Sequence, residues 1–323
     1  MTELIDFPDE VVTQAPVHYV DLPHGAGTAA LITLDNGFDH TRPTTFGPRG
    51  LQNIGAAVDE ALGRDDVVAV AVTGKPFIFA VGADLKVMEV GGTPAQAKAF
   101  FALGHETFRK LRDATVPTFA LVNGAAMGGG LELALHCHYR TLSAGVPAVA
   151  FPEVFLGLVP GWGGSQLLPN LIGADRAVTV IIENAMNQNR MLRAKPAFDL
   201  GIADVLLEPA DFLEQSLEWV SAVVRGETTV ERPEVDRGAA WDAAMARAKG
   251  IADMRVHGAT PAPYRAIELL ELALELLEEH GKQFVLDAAA KLSEVLEDEG
   301  RSDEALAVLR RAVATGRDAR VSS

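Results

Sequence analysis

Between residues 28 and 139 the chain alternates short apolar runs with longer stretches whose apolar residues recur at helical spacing. Thr28 to Asp35 reads as a buried strand ending at Asp35-Asn36-Gly37, and a loop rich in Thr, Pro and Gly follows from Phe38 to Gly50. Leu51, Ile54, Ala57, Val58, Ala61 and Leu62 then fall on one helical face. Val67 to Thr73 and Phe77 to Val81 are further apolar runs, stopped by Gly74-Lys75-Pro76 and by Gly82-Ala83-Asp84. Residues 94–114 predict a helix, Thr118 to Val122 a strand, Gly124 to Gly130 a turn, and Leu131 to Tyr139 the start of another helix. Uniformly apolar strands alternating with helices argue an α/β fold.

Helices dominate the rest. They are expected at 175–183, 195–200, 210–225 and 239–255, with a short strand at Ala203 to Leu207 and a charged, Pro-containing link from Gly226 to Arg237. After a break at His257 to Pro263, residues 264–279 carry Ile267, Leu269, Leu270, Leu272, Leu274, Leu276 and Leu277 around most of a helical circumference. Such a helix needs neighbours on more than one side. Two more helices are expected at 284–298 and 303–315, the second with Ser302 as N-cap and Gly316 as its stop. Leu292, Leu296, Gly300, Ala305, Leu309 and Ala312 resemble one tetratricopeptide-like helix pair. A single such unit cannot bury its own face, so docking on the chain's own core or on a sister subunit is the simpler expectation. The expected division is 1–210, 211–260 and 261–323.

With 323 residues and a formal net charge of −16, the chain can bury a large core but is a poor match for nucleic acid, which needs clustered Lys and Arg. An anionic small molecule would have to find a local basic spot. Cys137 is the single cysteine, so no intramolecular disulfide forms and a reducing compartment is favoured. No apolar run reaches the ~18–20 residues of a membrane span. Met1 to Asp6 lacks the basic start of a signal peptide. The expectation is a cytoplasmic protein. His136-Cys137-His138 has metal-binding residue types, but positions i and i+2 diverge on a helix, so no metal is expected. Neither a dinucleotide-binding GxGxxG nor a P-loop is present.

Two carboxylates carry the candidate chemistry. Glu132 follows Gly128-Gly129-Gly130, and Glu153 lies in Phe151-Pro152-Glu153, ahead of Gly161-Trp162-Gly163-Gly164. Singly, each has a plainer explanation: helix-dipole compensation, a tight turn, a solvated loop acid. Jointly they suit addition of water to an activated double bond. That reaction needs a base for water, an acid for carbon and a stabiliser for the enolate oxygen. Unpaired N–H groups at a helix N-terminus serve the last need, and glycine removes the Cβ that would keep a carbonyl away.

The string from Pro117 to Ala134, the string from Phe151 to Gln166 and the turn Gly82-Ala83-Asp84-Leu85-Lys86 together closely resemble the signature of the crotonase (enoyl-CoA hydratase/isomerase) superfamily, over about residues 20–210. Asp35-Asn36-Gly37 and Gly163-Gly164-Ser165 look most like the hydratase part of multifunctional fatty acid β-oxidation α subunits. The resemblance implies a spiral of ββα units with a helical C-terminal region. It also implies an oxyanion hole from the N–H groups of Ala83 and Gly129, with Glu132 as base toward water and Glu153 as acid toward the α-carbon. Ala83, Asp84, Leu85, Lys86 and Gly129 would meet the acyl-CoA thioester, and Lys86 would supply the basic spot for a coenzyme A phosphate. No cofactor is expected, because coenzyme A arrives as part of the substrate. The implied activity is enoyl-CoA hydratase. A Δ3-Δ2 enoyl-CoA isomerase and a non-catalytic acyl-CoA-binding scaffold are the alternatives. A trimer or a dimer of trimers is implied, and no NAD-dependent dehydrogenase is expected.

Three departures stand out. Val81 replaces the usual Ala, and His138 replaces the usual Asp. The interval of 21 residues from Glu132 to Glu153 is one longer than the pattern, which predicts a bulge near Gly145-Val146-Pro147.

Overall fold

The computed structural model describes residues 4–89 and 93–278. The helices expected at 284–298 and 303–315, and the tetratricopeptide-like pair, lie outside the described residues.

In chain order the elements are β1 (Val17–Asp21), β2 (Thr28–Leu34), α1 (Pro48–Leu62), β3 (Val67–Gly74), β4 (Ile78–Ala80), α2 (Lys86–Glu89), α3 (Pro94–Arg112), β5 (Thr118–Val122), β6 (Ala125–Met127), α4 (Gly129–His136), β7 (Tyr139–Ser143) and β8 (Val149–Ala150). Then come α5 (Gly164–Ile172) and α6 (Ala174–Val178), which runs through a π-helical turn (Thr179–Glu183) into α7 (Asn184–Met186). α8 (Ala194–Asp199), β9 (Val205–Leu207), α9 (Phe212–Val224), α10 (Ala239–Val256) and α11 (Ala262–Glu278) follow.

Two sheets form. The larger has the order β1-β2-β3-β5-β7-β9 and is parallel except for the β1–β2 pair; the smaller, β4-β6-β8, is parallel throughout. Successive strands are dealt alternately: β3, β5 and β7 join the large sheet, while β4, β6 and β8 join the small one. That is the spiral of ββα units the sequence resemblance implied.

Strand alternation separates two cores. On the large sheet, Ala29, Leu31, Ala69, Ala71, Phe119 and Leu121 face Phe212 and Val220 of α9. Their neighbours Ala30, Ile32, Val70, Val72, Ala120 and Val122 face the main core, with Leu51, Ile54 and Val58 of α1 and Phe108 and Leu111 of α3. Burial on both faces is why these strands read as unbroken apolar runs. α11 packs against α5 and α10, and buries Ala266, Ile267 and Leu270, which meets the expectation that it needs neighbours on several sides.

Three expectations change. The helix expected over Leu131 to Tyr139 stops at His136. Cys137 is extended (φ −71, ψ 148), and Tyr139–Ser143 becomes β7, a strand between β5 and β9. Polar Arg140 and Thr141 hid this strand; both are buried there with hydrogen-bond partners. The Gly124 to Gly130 turn contains a strand, β6. The segment Gly145-Val146-Pro147, where a bulge was expected, lies in the turn joining β7 to β8, closed by Val146 N–H donating to the Ser143 carbonyl at 3.0 Å. No helix of the described residues is long and apolar enough to cross a membrane.

Candidate active site

The small sheet assembles the site. β6 pairs with β8 so that Met127 faces Ala150, and the Gly128 N–H donates to the Ala150 carbonyl at 3.0 Å. This register carries Phe151-Pro152-Glu153 alongside the glycines that open α4. A Cβ added to Gly128 would lie 2.8 Å from Glu153 Oε1. Glu132, one turn into α4, points at the start of α5. Its Oε1 accepts from Trp162 N–H at 2.7 Å and from Gly164 N–H at 2.8 Å. Gly163 takes φ +109 to present those two groups to one oxygen.

The two carboxyls sit in unequal surroundings. Glu132 is 2% exposed, and burial pushes its pKa up to about 7, against the two backbone N–H groups that favour the anion. Glu153 belongs to a half-buried residue, yet its Oε2 is sealed and has no hydrogen-bond partner. Burial first, and the charge of Glu132 second, hold Glu153 well above the ordinary carboxylate range. When one proton is shared between them, it resides on Glu153 and the charge on Glu132.

The second limb is the turn after β4. Phe46 N–H donates to the Gly82 carbonyl at 2.8 Å, and Asp84 N–H donates to the Phe46 carbonyl at 3.0 Å. Ala83 lies between them, its N–H on the other side of the strand. Among the described residues, neither the Ala83 N–H nor the Gly129 N–H donates a hydrogen bond. The limbs nearly touch: a Cβ on Gly82, which has φ +94, would be 2.9 Å from the Gly129 nitrogen. Two free donors thus stand side by side next to two buried carboxyls.

The structure brings Ala83, Gly129, Glu132 and Glu153 together. Asp84 turns back on itself, accepting from Lys86 N–H at 3.1 Å, while Leu85 is 44% exposed and Lys86 is exposed. Sequence reading missed three contributors. Trp162 and Gly164 hold Glu132 through backbone N–H groups, and the Gly161-Trp162-Gly163-Gly164 string was their one visible signal. Phe46 sits in a loop whose composition carries no signal. The reason for the glycine triplet also differs from ligand approach. Cβ atoms would strike Glu153 at Gly128, the Trp162 ring at 2.3 Å from Gly129, and the Ala80 carbonyl at 2.1 Å from Gly130.

His138, in the place of the usual Asp, leaves its surroundings satisfied. Its Nδ1 accepts from Thr118 N–H at 3.1 Å, and its Nε2 is 3.0 Å from the Arg112 carbonyl, to which it donates as a neutral imidazole. His136 turns inward, its Nδ1 2.9 Å from the Glu132 carbonyl, so the two histidines face different neighbours.

Residues 30–234 match the model of the enoyl-CoA hydratase/isomerase family. The α subunit of the fatty acid oxidation complex of Shewanella loihica is 30% identical over 251 residues, covering 74% of this chain and 34% of that protein. The chain therefore spans about a third of the length of this curated relative. The solved structure of Pseudomonas aeruginosa DspI is 30% identical with a TM-score of 0.55, covering 69% of this chain and 84% of that one. An enoyl-CoA hydratase from Bacillus anthracis, 20% identical with a TM-score of 0.57, shares the fold over 87% of this chain and 96% of its own. With more than half of its residues under the family model and the ββα spiral in place, this chain belongs to the enoyl-CoA hydratase/isomerase family, within the crotonase superfamily.

Proposed function

We propose that the protein adds water reversibly to trans-2-enoyl-CoA thioesters, giving 3-hydroxyacyl-CoA. The observation that carries this reading is the pair of buried carboxyls with unequal hydrogen bonding, two N–H donors on Glu132 and none on Glu153 Oε2, beside two unpaired N–H groups. The thioester oxygen accepts from the N–H groups of Ala83 and Gly129, which polarises the conjugated double bond. Glu132, the carboxylate of the pair, takes a proton from a water held between the two acids, and the water oxygen bonds to the β-carbon. The π electrons move toward the thioester oxygen, and Glu153 delivers its proton to the α-carbon as the enolate collapses. One proton leaves the water and one reaches carbon, so the site returns to its starting charge once the proton on Glu132 passes to Glu153. Asp84, Leu85 and exposed Lys86 line the approach from the Ala83 side, and Lys86 meets a phosphate of coenzyme A.

The test is loss of the conjugated enoyl-thioester absorbance with crotonyl-CoA, in wild type and in Glu132→Ala and Glu153→Ala. Activity in the wild type that disappears in both variants is expected, and persistence in both would overturn the assignment. Moving a double bond from the 3 to the 2 position needs only one carboxylate, and the unpartnered Glu153 Oε2 could serve it. Product analysis with a 3-enoyl-CoA separates that isomerisation from hydration.

A further inference from the structure

We propose that Lys75 is a positioning residue for the pair of N–H donors: its buried ammonium, with Asn36 and Asn123, fixes the origin from which both backbone limbs run to Ala83 and Gly129. The inference rests on the oxyanion reading above and adds a residue that touches no substrate.

Lys75 is 4% exposed. Its Nζ donates to Asn36 Oδ1 at 2.5 Å and to the carbonyls of Phe38 at 2.8 Å, Asp39 at 2.9 Å and Arg42 at 2.7 Å. An ammonium has three protons, so one is shared between two oxygens. All four acceptors are uncharged. A buried cation is expensive unless its hydrogen bonds are filled, and a surface loop could be pinned by an ordinary side-chain amide. What distinguishes this loop is where it leads. Two residues beyond Arg42, the Thr44 carbonyl accepts from Val81 N–H at 2.9 Å, and Phe46 pairs with Gly82 and Asp84 on either side of Ala83. The cage around Lys75 therefore sets the height of the strand that holds the first donor.

The second limb starts from the same place. Asn123 Oδ1 accepts from Gly74 N–H at 3.1 Å, and its Nδ2 donates to the carbonyls of Gly74 at 2.8 Å and Lys75 at 2.9 Å. Ala125 N–H donates to the Phe77 carbonyl at 3.1 Å, and the backbones approach so closely that a Cβ on Gly124 would lie 2.0 Å from the Phe77 carbonyl carbon. From this hub β4 and β6 run in parallel to Gly82-Ala83 and to Gly128-Gly129. Removing the ammonium leaves the Phe38 carbonyl with no donor, and leaves Asn36 Oδ1 and the carbonyls of Asp39 and Arg42 only their longer bonds, from Phe38 N–H at 3.2 Å, Arg42 N–H at 3.2 Å and Asn36 Nδ2 at 3.4 Å. Residues 36–43 would then loosen, and the Thr44–Phe46 segment would lose its fixed distance from the Gly129 limb. Misplacement of reacting groups by ~1 Å can cost ~10²-fold in rate.

The experiment compares wild type with Lys75→Met and Asn36→Ala, using two readouts: crotonyl-CoA hydration, and the absorption of a bound 2,4-dienoyl-CoA. A conjugated thioester shifts to longer wavelength when its carbonyl is polarised, whether or not the glutamates react. In Lys75→Met we expect kcat to fall about 10–100-fold with KM changed far less, and the dienoyl shift to shrink. Asn36→Ala leaves the lysine with three carbonyls and also removes the bonds that the amide makes with Phe38 N–H and with the carbonyls of Arg42 and Pro43. It should show the same split, because it releases the same loop, and it keeps the inference testable if Lys75→Met does not fold. Glu132→Gln should lose hydration but keep the full shift. A lower thermal midpoint with kcat and the shift both unchanged, in whichever variant folds, would make Lys75 purely structural and overturn the inference. A wild type that polarises the dienoyl thioester but hydrates nothing would overturn the hydratase reading alone. The shift in Lys75→Met would still decide the role of Lys75.

Discussion

Buried carboxylates in two regions of this molecule are treated oppositely. At the edge of the large sheet, Asp204 is 4% exposed in its side chain. Oδ2 accepts from Arg140 N–H at 2.7 Å and from Arg140 Nη2 at 3.4 Å, while Oδ1 accepts from Arg232 Nε at 3.0 Å and Nη2 at 2.9 Å. Arg140 spends its other donors on the carbonyls of Ile202 and Cys137. Each side-chain nitrogen of Arg140 and both oxygens of Asp204 have a partner, and the two strands β7 and β9 are riveted together. At the start of α4, Glu132 has two donors on one oxygen, and Glu153 Oε2 has none. Satisfied buried charge is scaffold. Buried charge left short of partners costs free energy in the resting protein, and a substrate and a water can supply what is missing.

The sharpest way to break this comparison is to neutralise each carboxylate in turn. Glu132→Gln and Glu153→Gln should each lower hydration by ~10²–10⁴-fold. Thermal midpoints should stay level or rise, because a desolvated acid is replaced by a neutral group of the same shape. Asp204→Ala should do the reverse. Leaving Arg140 buried without its partner costs about 3–5 kcal/mol, read as a lower denaturant midpoint, while kcat of the folded fraction is kept. A dead but stable Asp204→Ala enzyme would dissolve the distinction.

Titration probes the same contrast more gently. Glu132 has its pKa raised from 4.5 to about 7 in the folded chain, chiefly by burial. The folded state thus holds that proton more tightly than the unfolded state does. The associated stability is fully present below pH 4.5 and is lost as pH climbs through about 7, an effect on the order of 3 kcal/mol. Unfolding free energies measured across that window should slope downward in wild type, and the slope should flatten in Glu132→Gln. Hydration should rise over the same range, since the base must be ionised. A wild-type slope equal to that of the variant would mean that Glu132 is not the group being desolvated.

The satisfied region was the harder one to read from sequence. Apolar runs buried on both faces gave β2, β3 and β5 directly, and the recurrence of Leu51, Ile54 and Val58 gave α1. β7 escaped because Tyr139-Arg140-Thr141 looks polar; its burial depends on Asp204 and Ser216, 64 and 75 residues away. No local pattern encodes such partners. The site was legible as a set of residues, since Gly82-Ala83-Asp84, the glycine triplet and the two acids are contiguous strings. Its geometry was not. That Trp162 and Gly164 hold Glu132, or that Phe46 props the Ala83 turn, depends on loops meeting across the fold. The glycines were read as making way for a ligand carbonyl, but the structure shows them yielding space to Glu153, Trp162 and Ala80.

That last point separates two reasons for a glycine at 129, and it has the smallest expected signal. If the residue is small because the Trp162 ring lies against it, Gly129→Ala should destabilise the fold by about 1–3 kcal/mol through overpacking. In a Trp162→Ala background the added methyl has room, so most of that penalty should vanish. The coupling between the two changes should then fall in the ~0.5–3 kcal/mol range of contacting residues. The residue 129 N–H is retained throughout, so a double variant that recovers stability should also recover polarisation of a bound dienoyl thioester. No stability penalty in either background, with polarisation still lost, would assign the glycine to ligand approach instead, because only an incoming carbonyl would then be left to collide with the methyl.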